Sequence, residues 1–214
     1  MAKIGLYGGT FNPIHEAHVH LVKDFAQQLG LAQVLLMGLD QILLMPTFQP
    51  PHKQVHQLAS PEDRLAMCRL AAVGDQRIQV SDLEIRRAGK SYTAETLEEL
   101  HRLYPGNQWY LLMGEDMFLT VDHWYRPETI YRLAVLCAAP RSLDGLPRLE
   151  KHAEFLRSCG AETVLCDIRY LPVSSTLVRE AIAEGKDLKG LVSPEIAAYI
   201  QEKGLYRLRE GDLS

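Results

Sequence analysis

No stretch of this 214-residue sequence is apolar for long enough to cross a bilayer. The longest uninterrupted apolar run, Leu133–Ala139, falls far short of the ~20 residues that a helical span requires. No excess of positive charge is present either: 23 Lys and Arg stand against 27 Asp and Glu, for a net charge of −4. Binders of phosphate backbones show a basic footprint, so no nucleic-acid partner is expected, and no membrane partner. Cysteine is scarce and unpatterned. The four (Cys68, Cys137, Cys159 and Cys166) show no C-x-x-C spacing, and three lie in apolar-rich segments. Such thiols read as small hydrophobes kept reduced, which predicts a cytoplasmic location. The N-terminus breaks at Gly8-Gly9 before any signal-peptide apolar region forms. Repeats, low-complexity tracts and long linkers are lacking too, so residues 1–214 are expected to form one domain. What remains is an ordinary globular composition, 47% hydrophobic and 23% charged, which excludes wholesale disorder.

Short apolar runs alternate with longer helical stretches. Lys3–Tyr7, Ile42–Met45, Ile78–Leu83, Trp109–Met113, Ala134–Ala139 and Thr163–Ile168 read as strands. From about Glu16 to Leu29, Val19, Leu21, Val22, Phe25, Ala26 and Leu29 recur at helical spacing. Further helices are predicted from Pro61 to about Val73 with Ser60 as N-cap, over Ala94–Leu103, near Pro127–Arg132, and from about Leu149 to Ser158. Two more follow Ser175 and Ser193-Pro194-Glu195, the last ending near Lys203-Gly204. Gln33–Leu39 reads either as a strand or as an extension of the first helix. This alternation predicts an α/β fold, a Rossmann-like open, mostly parallel sheet of five strands or slightly more, with helices on both faces and a helical C-terminal end. Right-handed crossovers then place every strand C-terminus along one edge, where such sheets bind ligands.

The chemistry gathers at that edge. The first strand leads into Gly8-Gly9-Thr10-Phe11-Asn12-Pro13-Ile14-His15-Glu16-Ala17-His18. Two glycines there permit positive φ angles and close backbone approach to a phosphate. The next helix aims its N-terminal N–H groups and dipole at the same spot, with His15 and His18 in its opening turn at i, i+3. Imidazoles so placed donate to phosphoryl oxygens. Gly-Gly alone would be an ordinary tight turn; the histidine pair shifts the balance. Competing motifs fail on spacing: a Walker A lysine and G-x-G-x-x-G are absent, and Val19 stands where H-E-x-x-H needs its second His. A metal site of His15, His18 and His20 is disfavoured because His20 points to another helix face. Ser174-Ser175-Thr176, at a helix start with Arg179 one turn on, offers hydroxyls and free N–H groups as a second phosphate cradle.

These residues closely resemble the histidine-bearing nucleotidyltransferase superfamily and, within it, the bacterial nicotinate mononucleotide adenylyltransferases. The G-G-T-F-N-P-I-H-x-x-H block is joined by four others. Pro46-Thr47-Phe48-Gln49-Pro50-Pro51-His52-Lys53 is similar to the family's P-x-x-x-P-P-H-K segment. Ser91-Tyr92-Thr93-Ala94-Glu95-Thr96-Leu97 matches S-Y-T-x-x-T-L. Gly114-Glu115-Asp116, with Trp124 eight residues after the Asp, resembles G-x-D…W, and Val173–Arg179 resembles I-S-S-T-x-x-R. The likeness spans roughly residues 3–207. It departs at Ala17, where the family usually carries Gly, at Asn12, which replaces a common Asp, and before the second strand, where residues 33–39 make a longer stretch.

The resemblance implies that ATP and nicotinate mononucleotide give nicotinate adenine dinucleotide and pyrophosphate. No Ser-His-Asp or Cys-His spacing marks an activated nucleophile, and the acceptor phosphate brings its own nucleophilic oxygen, so positioning and charge stabilisation suffice. His15 and His18 are the expected catalytic groups. Gly8, Gly9, Thr10, Phe11, Gly114, Asp116, Ser175, Thr176 and Arg179 are expected to bind ATP, with Asp116 at the adenosine end and Arg179 at the terminal phosphates. His52, Lys53, Tyr92, Thr93 and Trp124 are expected to bind the mononucleotide, with either Thr93 or Ser91 capping its helix and Trp124 serving either as core or as a stacking surface for the ring. Arg141 is a further candidate phosphate contact. Mg²⁺ is expected to arrive with ATP, held mainly by phosphates rather than by protein ligands. The oligomeric state is left open, a homo-oligomer included. Rival readings are a sister enzyme acting on phosphopantetheine or nicotinamide mononucleotide, and a silent nucleotide-binding protein on the same fold.

Overall fold

A computed structural model of the chain describes residues 2–31, 41–49, 57–142 and 145–207. Gln33–Leu39 and the tetrapeptide Pro50-Pro51-His52-Lys53 lie outside the described residues, so the readings made of them stand untouched. In chain order the elements are β1 (Lys3–Gly9), α1 (Glu16–Leu31), β2 (Gln41–Pro46), α2 (Pro61–Ala72), β3 (Ile78–Val80), α3 (Leu83–Arg87), α4 (Thr93–Leu103) and β4 (Gln108–Gly114). They continue with α5 (Glu115–Phe118), a 3-10 turn at Val121–His123, α6 (Pro127–Leu133), β5 (Ala134–Ala139), α7 (Gly145–Ser158), β6 (Thr163–Leu165), α8 (Ser175–Ala183) and α9 (Pro194–Lys203).

The strands form a six-stranded sheet in the order β3-β2-β1-β4-β5-β6, and every pairing is parallel. Side chains alternate faithfully across it. Ile42 and Leu44, Tyr110 and Leu112, and Val135 and Cys137 face one core, where Val22, Phe25, Met67, Cys68, Val178 and Ile200 cover them. Leu43 and Met45, Trp109 and Leu111, and Leu136 and Ala138 face the other, beneath Leu97, Leu100, Ile130, Leu149 and Ala153. This period of two is why the strands read as unbroken apolar runs: both faces of a parallel sheet are buried.

Some boundaries differ from the sequence reading. Ile78–Leu83 is not one strand. β3 stops at Val80 and Leu83 opens α3, because Ser81 Oγ accepts the Leu83 N–H (3.2 Å) and Arg86 reaches back one turn to Asp82 (2.9 Å). β6 likewise ends at Leu165, and α7 begins at Gly145 rather than about Leu149. Ser60 and Ser193 cap α2 and α9, accepting N–H groups three residues on, each with Pro at the first helical position. The chain runs outward from β1 to β3 and then crosses back to β4 on the other side of β1. That reversal leaves a crevice between the C-terminal ends of β1 and β4.

Candidate active site

Gly8-Gly9 ends β1 and Gly114 ends β4, and a two-lobed cleft opens at that crevice. One lobe, about 340 Å³, is lined by Thr10, Ser91, Tyr92, Thr93, Trp124 and Tyr125 among others. The second, about 430 Å³, includes His15, Asp116, Arg141, Tyr170, Ser174 and Thr176. Tyr7, His18, Gly114, Met117 and Ser175 border both lobes. His18 is thus one of the side chains at which the lobes meet.

The glycines act differently from expectation. Neither Gly8 nor Gly9 has a positive φ; the left-handed residue is Phe11, at φ 48°. A Cβ on Gly8 would meet nothing within 4 Å, so Gly8 keeps its stretch of the cleft wall open. One on Gly9 would sit 2.8 Å from the Phe11 ring. Gly9 thus lets Phe11 fold back under the loop, where its buried ring meets His18 edge-on at 5.2 Å.

His15 takes the N-cap position of α1 and His18 is the third residue of its first turn. The His15 N–H donates to His18 Nδ1 (3.3 Å), so the third-position side chain satisfies the cap's own amide, as in a capping box. Accepting at Nδ1 fixes the tautomer, which leaves the proton on Nε2 as a donor. The two rings stack at 3.6 Å between centroids. Burial pushes the His15 pKa down to about 4 and that of His18 well below the ordinary value, with repulsion from His15 as a second cause for His18. Both imidazoles are neutral donors at neutral pH. The unfolded chain binds these protons near pH 6.5, so stability is complete above that pH and falls as the pH drops toward 4. His15 should contribute a slope of up to about 1.4 kcal/mol per pH unit over that window. Denaturant unfolding of wild type and His15→Gln at several pH values measures it, and parallel pH profiles would show His15 to be hydrated like a surface histidine.

Ser174 caps α8, accepting the Leu177 N–H at 3.1 Å. Ser175 and Thr176 face the cleft, with the Ser175 hydroxyl donating to the Pro13 carbonyl (2.9 Å). Arg179 bonds the Asn12 carbonyl (2.8 Å) and Thr176 Oγ1 (3.3 Å), tying α8 to the histidine loop at the edge of the cleft. Asn12, the departure from Asp, is a buried hub: Oδ1 accepts from the Ala59 N–H (3.0 Å) and the Tyr206 hydroxyl (2.9 Å). Asp116 is exposed and paired with Arg141, whose guanidinium also lies over the Tyr170 ring. His20 also lines the second lobe, with its ring bonded to the Arg169 carbonyl at 2.9 Å. Among the described residues no cluster of three His, Cys, Asp or Glu is arranged for a metal ion, and no helix is long and apolar enough to cross a membrane.

In the first lobe Tyr92 and Tyr125 pack at 4.6 Å, and Trp124 is half-buried against the core while also lining the lobe. The N-cap of α4 is Tyr92, not Ser91 or Thr93, and no side chain caps it. Ser91 instead accepts the Phe48 N–H (3.0 Å). Tyr92, Thr93 and Trp124 are thus brought together.

Four supporting residues escaped the sequence reading. Arg64, fully buried in α2, binds four main-chain carbonyls. Its signal was available, a cation one turn from the buried Met67 and Cys68. Glu84 lies buried in the first lobe, taking the Thr96 hydroxyl (2.6 Å). Tyr206 falls within the tail that resembles the family, but its local sequence assigned it no role. Glu115, buried beside exposed Asp116, accepts the Arg141 N–H (2.7 Å) and pairs with Arg148 (2.6 Å). A Cβ on Gly145 would overlap the Glu115 carboxylate. Gly145→Ala should therefore cost about 1–3 kcal/mol through overpacking. Thermal unfolding decides this, and an unchanged midpoint would mean that the carboxylate yields without loss.

The cytidylyltransferase-like family matches residues 6–181. A protein of Synechococcus sp. (strain JA-3-3Ab) named "Probable nicotinate-nucleotide adenylyltransferase" is 39% identical over 208 residues, covering 95% of this chain and 94% of its own length. A Desulfitobacterium hafniense (strain Y51) protein of the same name is 35% identical over 211 residues, 96% of each chain. The fold is shared with Plasmodium falciparum nicotinic acid mononucleotide adenylyltransferase complexed with NaAD, at a TM-score of 0.73 and 20% identity, covering 96% and 98% of the two chains. The histidine loop at the β1–β4 crevice and this full-length similarity agree: the chain belongs to the cytidylyltransferase-like nucleotidyltransferases and, among them, to the nicotinate-nucleotide adenylyltransferase family.

Proposed function

We propose that this protein transfers the adenylyl group of ATP to nicotinate mononucleotide, giving nicotinate adenine dinucleotide and pyrophosphate in NAD biosynthesis. The observation that carries this reading is the two-lobed cleft whose lobes meet at a neutral, tautomer-fixed His18. One lobe is aromatic and rich in hydroxyls, as a pyridine mononucleotide requires. The other carries the carboxylate, guanidinium and helix-start groups that suit ATP.

A phosphate oxygen of the mononucleotide attacks the α-phosphorus of ATP in line, and the bond to the bridging oxygen of pyrophosphate breaks. No covalent enzyme intermediate forms. His18 Nε2–H, supported by the stacked His15, donates to the α-phosphoryl oxygens as charge develops there. Gly8, Gly9, Thr10 and Phe11 form the floor under the phosphates. Ser175, Thr176 and the remaining N–H groups of Arg179 hold the β- and γ-phosphates of departing pyrophosphate. Asp116 and Gly114 receive the adenosine end once Arg141 exchanges its carboxylate partner for ligand phosphate. Tyr92, Thr93 and Trp124 enclose the pyridine ring, and His52 and Lys53, assigned from sequence alone, complete the mononucleotide site. Mg²⁺ enters as part of the substrate, Mg·ATP. The chain's free cysteines fit work in the reducing cytoplasm.

Pyrophosphate release measured with ATP and a panel of acceptors tests the reading. Nicotinate mononucleotide should be the best acceptor, and the product should have the mass of the dinucleotide. Preferential use of phosphopantetheine, or no release with any acceptor, would overturn it.

A further inference from the structure

The five N–H donors of Arg64 enter no ion pair among the described residues. Nε donates to the Ala59 carbonyl (3.2 Å), Nη1 to those of Thr10 (2.8 Å) and Thr47 (2.6 Å), and Nη2 to that of Phe48 (2.9 Å). One buried planar cation thus gathers the loop after β1, the loop after β2 and the entry to α2. Lysine has no equivalent, because a guanidinium fork spans several acceptors while an ammonium is a point.

Holding a carbonyl also directs the amide across the same peptide. The peptide group is planar and trans, so the N–H of the next residue points opposite to the C=O. The loop after β2 shows the consequence: Arg64 holds the Thr47 carbonyl from beneath, and the Phe48 N–H points away to Ser91 Oγ at the cleft wall. The loop after β1 has the same arrangement, with the Thr10 carbonyl held by Arg64 and Thr10 and Phe11 lining the cleft beside His18. We propose that Arg64 is a positioning residue for adenylyl transfer: by gripping the Thr10 carbonyl it aims the Phe11 N–H at the α-phosphoryl group alongside His18 Nε2, and by gripping Thr47 it sets the Phe48–Ser91 strut of the acceptor lobe. The inference rests on the proposed adenylyl transfer for the identity of the group that Phe11 meets. The buried charge strengthens the aim, since a cation behind the loop polarises both peptides in the same direction.

The two peptides can be observed selectively. The only Thr-Phe pairs in the chain are Thr10-Phe11 and Thr47-Phe48, so carbonyl-13C threonine with 15N phenylalanine reports these two amides alone. Ser91→Ala identifies the Phe48 signal. On adding a non-hydrolysable ATP analogue to wild type, the Phe11 amide proton should move downfield while that of Phe48 stays near its place. Arg64→Lys should abolish the Phe11 shift and lower kcat roughly tenfold to a hundredfold, with the KM for ATP within about threefold, as for a misaimed transition-state donor. A Phe11 amide that stays put in wild type while the analogue saturates would overturn the proposal, whether or not Arg64→Lys folds. So would a folded Arg64→Lys with kcat within twofold of wild type, the outcome of a purely structural role. A wild-type Phe11 shift without turnover of nicotinate mononucleotide would instead fail the proposed function and leave the aiming role intact.

Discussion

His18→Ala is expected to lower kcat by about 10²–10³, the usual consequence of losing one preorganised donor to a transition-state oxyanion. The reason lies in the placement of the ring. Its Nδ1 is occupied by the His15 N–H and one face by the His15 ring, so Nε2–H has a defined direction at the junction of the two lobes. Because the ring is half-buried and its pKa is held well below the ordinary value, the donor needs no deprotonation step and its effect should persist across neutral pH. His18→Asn, which keeps a donor but shortens the reach, should recover part of the loss. Steady-state kinetics with ATP and nicotinate mononucleotide checks this, and near-normal turnover in His18→Ala would remove the histidine from the chemistry.

The second large effect concerns acid against amide. A nicotinate carboxylate only accepts hydrogen bonds, whereas a nicotinamide group must also place an NH₂. The first lobe offers the Thr93 hydroxyl, together with the opening N–H groups and positive dipole of α4, whose N-cap Tyr92 supplies no side-chain cap. The lobe is not free of acceptors, because the Glu84 carboxyl also lines it. Burial raises the Glu84 pKa, while the hydroxyls of Thr96 and Ser91 and the charge of Arg87 act the other way. Each mismatched donor should cost the amide ~1–3 kcal/mol. Wild type should thus prefer nicotinate mononucleotide at least about tenfold in kcat/KM. Thr93→Val should shrink that ratio and leave ATP binding nearly unchanged. Equal use of both mononucleotides by wild type would refute the specificity, and an unaltered ratio in Thr93→Val would clear Thr93 of the role.

The sequence carried the fold well where periodicity was strong. β4 and β5 are unbroken apolar runs because both faces are covered, and the serine-proline helix starts at Ser60 and Ser193 declare themselves by residue type. It misled where a short charged segment followed an apolar one. Ile78–Leu83 looks continuous, yet the Ser81 hydroxyl and the Asp82–Arg86 pair begin a helix inside it. Contacts distant along the chain were the least legible part of the site. Asn12 meets Tyr206 across 194 residues and Arg64 meets Thr10 across 54, and no local pattern announces either. Of the two reasons for Gly8-Gly9, positive φ fails, since neither glycine adopts it; Gly9 is instead required by close packing against Phe11, and Gly8 leaves the cleft wall open.

The central claim, direct adenylyl transfer with no enzyme-bound intermediate, is tested most directly by isotope exchange. Labelled pyrophosphate should enter ATP only when nicotinate mononucleotide is present, because the reverse reaction needs the dinucleotide as adenylyl donor. Exchange without acceptor would reveal a covalent adenylyl-enzyme, and absence of exchange with nicotinate mononucleotide present would deny the transfer altogether.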